Sequence, residues 1–206
     1  MIHVDVMDGH FVPTITIGEI MVQAVRPLTK LPIDTHLMIS NPSRYIDPFI
    51  EAGADIVSIH AECYGRFRES CRGEDQYPKE VDTIDDKKAR KDIFRIKERG
   101  KKVFMVINPG TPLCIMSVLK DLDGVLIMSV NPGYAKQKFI PQVLPKIIQL
   151  RKAYAGDIAI DGGINALTAK EAVKAGANIL ATASYFFGSK NPKEVVKNLK
   201  SLKGTF

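Results

Sequence analysis

Several features that would point away from an ordinary soluble enzyme are scarce or missing in this chain. It has only three cysteines, Cys63, Cys71 and Cys114. An odd count fits neither a disulfide framework nor the paired C-x-x-C spacing of a zinc module, so these read as reduced thiols. No apolar run approaches the roughly 18 residues that a bilayer span needs. No basic region followed by a hydrophobic segment opens the sequence. The expectation is a cytoplasmic protein without a membrane partner. The net charge of +6 is not gathered into a block of one sign, because basic residues interleave with acids, as in Asp85-Asp-Lys-Lys-Ala-Arg-Lys-Asp92. That pattern reads as solvated helix faces and gives no nucleic-acid partner, while a basic surface suits a small phosphorylated substrate.

What is present is enough for one well-buried domain over 1–206, with 45% hydrophobic and 25% charged residues. Short runs rich in Val and Ile at 1–6, 31–37, 55–60, 102–107, 123–129, 157–160 and 178–182 predict seven strands. Helical spacing follows near 18–27, 42–52, 84–99, 112–120, 139–153, 167–175 and 192–202. Strict alternation calls for a parallel sheet with right-handed crossovers. Ala52-Gly-Ala-Asp55 and Ala175-Gly-Ala-Asn178 repeat one junction, a glycine helix cap opening onto a strand. Both a (β/α)8 barrel and an open doubly wound sheet satisfy this order. The barrel is favoured because polar candidates follow strands throughout the chain, as an active face at the strands' carboxyl ends requires. Residues 63–83 are mostly polar and lack a period, which predicts a long loop inserted into the domain.

Chemistry gathers first at His3-Val-Asp-Val-Met-Asp-Gly-His-Phe-Val-Pro13. Side chains at i and i+2 share one face of a strand, so His3 and Asp5 point the same way just before a turn. An imidazole beside a carboxylate at a strand end is half of a divalent-metal site. His36 in Ile33-Asp-Thr-His36-Leu-Met and Asp161 in Ile158-Ala-Ile-Asp161-Gly-Gly-Ile close two further apolar runs and supply candidates for the other half. His10 and His60 carry no assignment and read as hydrogen-bonded structural histidines.

The segments His3–Pro13, His36-Leu-Met38, Asn108-Pro-Gly-Thr-Pro112, Met128-Ser-Val-Asn-Pro-Gly133, Gln137-Lys-Phe-Ile-Pro141 and Asp161-Gly-Gly-Ile-Asn165 occur in the order seen in one family. Across nearly its whole length the chain resembles the ribulose-phosphate 3-epimerases. The resemblance implies a (β/α)8 TIM barrel of the ribulose-phosphate-binding type, with His3, Asp5, His36 and Asp161 holding one divalent cation: zinc, iron(II), cobalt or manganese. It implies that Asp5 and Asp161 are the acid/base pair. Inverting a carbon next to a ketone removes a proton from one face and returns one to the other, which calls for two carboxyl groups on opposite sides of the substrate. The expected activity interconverts D-ribulose 5-phosphate and D-xylulose 5-phosphate in the pentose phosphate pathway.

The resemblance also places Met7, Met38 and Met128 as an apolar cap over the substrate, and Gly162 and Gly163 at its phosphate. His36 falls in the same substrate-binding set. Two departures stand out. Where the family has a glycine-phenylalanine-glycine-glycine loop this chain has Gly133, Tyr134, Ala135 and Lys136, and a later glycine-serine pair reads Ala183 and Ser184. The chain also begins inside the family's second strand-helix unit, so the first unit is expected to be absent from the barrel. Open strand edges of that kind favour pairing with another chain, and a homo-oligomer is expected. Two other readings stand beside the leading one: a catalytically inactive paralogue that binds sugar phosphate or a protein partner, and an epimerase for another ketose phosphate such as allulose 6-phosphate.

Overall fold

The structure, a computed structural model, describes residues 1–71 and 76–202. Among these, β1 (Ile2–Met7), β2 (Ile33–Met38) and β3 (Ile56–His60) are followed by a small hairpin of β4 (Gly65–Phe67) and β5 (Val81–Ile84). The chain continues through β6 (Lys102–Ile107), β7 (Gly124–Met128), β8 (Asp157–Asp161) and β9 (Ile179–Ala181). Outside the hairpin, seven strands form one parallel sheet in the order β1-β2-β3-β6-β7-β8-β9. Helices α1 (Glu19–Val25), α2 (Ile46–Glu51), α3 (Asp86–Glu98), α4 (Leu144–Ala153), α5 (Ala166–Ala175), α6 (Ser184–Phe187) and α7 (Pro192–Lys200) complete the alternation.

A flat sheet would hold β1 and β8 five strand spacings apart, about 24 Å. His3 Nε2 on β1 nevertheless lies 3.9 Å from Asp161 Oδ2 on β8. The sheet is therefore curled into a barrel-type wall, as expected, with seven strands whose limits fall within two residues of those read from the sequence. The outer strands β1 and β9 are not joined by a ladder among the described residues.

The period of two decides what each strand offers to either side. Val4 and Val6 of β1, and Val125 and Ile127 of β7, pack into the large core between sheet and helices. Their neighbours Leu126 and Met128 turn inward to a second cluster with Phe104, Val106 and Ala159. Phe104 fills the interior because its partner in register is Gly124, where a Cβ would stand 2.4 Å from the ring. Helix starts are set by side chains: Asp85 accepts from the amides of Lys87 and Lys88, and Asn165 with Thr168 forms a capping box.

Three expectations need correction. Residues 112–120 are not a helix but turns leading into a 3-10 turn, Leu119–Asp121. Ile115 and Val118 are both fully buried, and their three-residue spacing serves a turn as well as a helix. Helix 42–52 is broken into a 3-10 turn, Pro42–Arg44, and the short α2. The 63–83 segment is not a structureless loop. It contains the antiparallel β4–β5 pair, across which Arg68 reaches both Glu80 (2.7 Å) and Asp82 (2.6 Å). Strands of three and four residues are too short for periodicity to reveal. Residues 72–75 of that segment lie outside the described residues.

Candidate active site and metal centre

The parallel register brings the ligand-type residues together. Asp5 pairs with His36 across β1 and β2, and curling carries Asp161 of β8 to the same end. One donor atom from each of His3, Asp5, His36 and Asp161 lies within 4.8 Å of every other. His3 Nε2 is 3.3 Å from Asp5 Oδ1, and His36 Nδ1 is 2.9 Å from the same oxygen. His3 Nε2 is buried and has no hydrogen-bond partner among the described residues. A buried imidazole nitrogen aimed at two carboxylates, in a set of two nitrogen and two oxygen donors, fits a divalent cation.

The two carboxyl groups are driven apart. Burial pushes the Asp161 carboxyl up, and the nearby Asp5 charge adds to that rise. Burial acts on Asp5 in the same sense, but the imidazoles of His3 and His36 outweigh it and hold its carboxyl well below the usual range. Burial lowers His36, while for His3 it is overcome by Asp34, which keeps that imidazole well above its ordinary value. A pair of carboxyl groups whose environments oppose one another can divide the roles of base and acid.

Beside the cluster lies a cavity of about 110 Å³. Asp5 and Asp161 line it, Met7, Met38 and Met128 cover one side, and Gly133, Tyr134, Ala135, Lys136, Gly162, Gly163, Ala183 and Ser184 form the rest of the expected set. His3 and His36 stand behind that lining, within the metal cluster. Gly162 and Gly163 have positive φ, and a Cβ on Gly163 would meet the backbone nitrogen of Phe139 at 2.8 Å. The 133–136 loop is tied to the loop after β1 by Thr14, whose hydroxyl donates to the Gly133 carbonyl (2.6 Å). Lys136 is left-handed, with φ of 60°. A larger cleft of about 420 Å³, between the loops after β1 and β2, is lined by Asp8, His10 and Arg44 and holds none of the four cluster residues.

Sequence reasoning missed the groups behind the ligands. Asp34 accepts from His3 Nδ1 (2.7 Å) and from the Ser58 hydroxyl (2.6 Å). His60, left as a structural histidine, is in contact with His36 through the two Nε2 atoms (2.9 Å) and with Glu62 through Nδ1 (3.0 Å). The signal was available: Asp34-x-His36 and His60-x-Glu62 repeat the two-residue spacing of His3-x-Asp5.

A curled parallel sheet with a polar cleft at its carboxyl end defines an enzyme of the TIM-barrel type. Solved structures agree on the fold: 3-hexulose-6-phosphate synthase from Salmonella typhimurium superposes with a TM-score of 0.63 over 89% of this chain and 79% of its own, at 16% identity. The model of the ribulose-phosphate 3 epimerase family matches residues 1–72 and 80–187. The ribulose-phosphate 3-epimerase of Bacillus subtilis (strain 168) is 43% identical over 98% of this chain and 86% of its own length. The chloroplastic ribulose-5-phosphate-3-epimerase of Arabidopsis thaliana is 43% identical over 98% and 67%. The ribulose-phosphate 3-epimerase of Methanocaldococcus jannaschii is 39% identical over 96% of this chain and 77% of its own length. The chain belongs to the ribulose-phosphate 3-epimerase family, and its activity is that of an epimerase, an isomerase. Of the readings open from the sequence, membership supports this one over the inactive paralogue and the allulose 6-phosphate enzyme. No helix among the described residues is long and apolar enough to cross a membrane.

Proposed function

We propose that the chain interconverts D-ribulose 5-phosphate and D-xylulose 5-phosphate, with Asp5 and Asp161 as the two proton-transfer groups. The observation that carries this reading is their placement: two carboxyl groups from separate strands line one cavity. One is suited to take the C3 proton and the other to return one to the opposite face. Epimerisation in the reverse direction exchanges the two roles. Met38 and Met128, both buried, exclude water from this side of the cavity and adapt to the sugar by their flexible chains.

His3, Asp5, His36 and Asp161 would hold the divalent cation. When bound there, it supplies Lewis-acid stabilisation of negative charge developing on substrate oxygen. The far end of the cavity, at Gly162, Gly163, Ala183 and Ser184, is the proposed phosphate end. Lys136, at the lining of the same cavity, keeps the backbone amide of the family's glycine and adds an ammonium group that would meet the phosphate as a point charge. Self-association into a homo-oligomer and a location in the cytoplasm belong to the same proposal. A coupled assay with ribulose 5-phosphate and added divalent metal tests the function. Metal-dependent formation of xylulose 5-phosphate, lost in Asp161→Asn, is expected, and a folded, metal-loaded protein without turnover contradicts it.

A further inference from the structure

Behind His36 runs a line of fully buried polar groups that the proton-transfer scheme does not use. His36 Nε2 meets His60 Nε2 at 2.9 Å, and His60 Nδ1 meets Glu62 Oε2 at 3.0 Å. Glu62 Oε1 in turn accepts the backbone N–H of Asn108 (2.8 Å). All three side chains are sealed from solvent. The Phe11 ring packs against His60 with centroids 4.6 Å apart, and the planes of His36 and His60 differ by only 21°. Two imidazoles so placed share one proton between their facing nitrogens, and whichever donates fixes the tautomer of both.

We propose that Glu62, acting through His60, is a positioning residue that keeps the His36 proton on Nε2, so that Nδ1 presents a free lone pair to a divalent cation. The proposal rests on the reading of His3, Asp5, His36 and Asp161 as a cation site. A neutral His60 facing the Glu62 carboxylate must carry its proton on Nδ1, since otherwise a lone pair would oppose a carboxylate oxygen in a dry interior. Its Nε2 is then an acceptor, and only His36 can supply the proton between the rings. His36 Nδ1 is left bare, 2.9 Å from Asp5 Oδ1. Those two electron-rich atoms would both be satisfied as ligands of a divalent cation. His3 is set independently and in the opposite sense: its Nδ1–H donates to Asp34, and Nε2 faces the site. The two histidines thus offer different ring nitrogens, each fixed by its own buried carboxylate, one directly and one through a second imidazole.

The substitution Glu62→Gln reverses the relay with little change of shape. The Asn108 N–H holds the amide oxygen at the Oε1 position, which places the amide NH2 against His60 Nδ1. His60 must then donate from Nε2, and the His36 proton moves to Nδ1, where it blocks the cation. The experiment measures zinc and manganese(II) affinity of the wild-type protein and of Glu62→Gln by chelator competition. It also records long-range proton–nitrogen spectra of the zinc-loaded wild-type protein carrying isotope-labelled histidine. The variant is expected to bind both ions about tenfold to a hundredfold more weakly, and wild-type His60 to carry its single proton on Nδ1. Unchanged affinity in a folded variant, or a proton on His60 Nε2 in the wild-type protein, overturns the proposal. If Glu62→Gln does not fold, the wild-type spectrum decides alone. If the wild-type protein binds neither ion, the cation reading itself falls and takes the proposal with it; a wild-type protein that binds both beside an equally competent variant fails the relay alone.

Discussion

The two ends of the cavity, the proposed metal end and the proposed phosphate end, are built differently. At the metal end every functional side chain stands on a strand or directly after one, and its partners are buried: Asp34 and Ser58 behind His3, His60 and Glu62 behind His36. At the proposed phosphate end the residues lie on loops and at the start of the short α6, Tyr134 is 64% exposed, and a lysine occupies a backbone conformation that favours glycine. The first end is fixed by the sheet and tolerates little, while the second is adjustable. The loop departures expected from the sequence, at 133–136 and 183–184, fall at the second end, so they should change affinity for substrate more than the chemistry.

The most drastic way to break that contrast is to remove one proton-transfer group. Asp161→Asn should lower kcat by about 10²–10⁴-fold, with KM changed far less, in the coupled assay. The same variant separates function from stability. Asp161 has a raised carboxyl in the fold, so its contribution is fully present only below the unfolded value near 3.8 and is lost as pH rises through the folded value. At neutral pH the charge is a burden in the metal-free protein. Metal-free Asp161→Asn should therefore melt at or above the wild-type temperature at pH 7, and the difference should vanish toward pH 3.

Removing the metal comes next. Treatment with a chelator should abolish most turnover and lower the melting temperature, by about 2.7 kcal/mol if the ion had stood at a hundred times its dissociation constant. Readdition of zinc or manganese(II) should restore both. Gly163→Ala sharpens the comparison at the other end. With φ of +64° and only 2.8 Å between its new Cβ and the Phe139 nitrogen, it should raise KM for the sugar phosphate about tenfold while leaving metal affinity intact. The smallest effect is expected from Lys136→Gly. Relief of a left-handed lysine should add about 1 kcal/mol of stability, seen as a rise of roughly 2–4 °C in Tm. Loss of its ammonium group should raise KM several-fold without altering kcat.

The metal end was legible because strand periodicity is local. His3-x-Asp5 announces two side chains on one face, and the apolar runs closed by His36 and Asp161 announce strand ends. That these ends meet follows from the curl of the sheet, which the alternation alone left open between a barrel and an open sheet and which the polar residues closing the strands favoured. What stayed hidden depends on geometry that no local pattern carries. The hairpin of β4 and β5 is held by Arg68 and its two acids across a gap in sequence. Helix-like spacing at Ile115 and Val118 is satisfied by turns. His60 was passed over as structural although its spacing to Glu62 matches the other two pairs, because its partner is another histidine and not a carboxylate at the site.

The central claim, two carboxyl groups exchanging a proton on opposite faces of one carbon, is tested most directly in deuterated water. Ribulose 5-phosphate is incubated with the metal-supplied protein and the first-formed product is examined at C3. The account predicts xylulose 5-phosphate carrying solvent deuterium at that carbon from the earliest time points, and neither product nor exchange beyond a trace in the double variant Asp5→Asn with Asp161→Asn. Xylulose 5-phosphate that retains the original C3 hydrogen, or turnover that survives loss of both carboxylates, would contradict it.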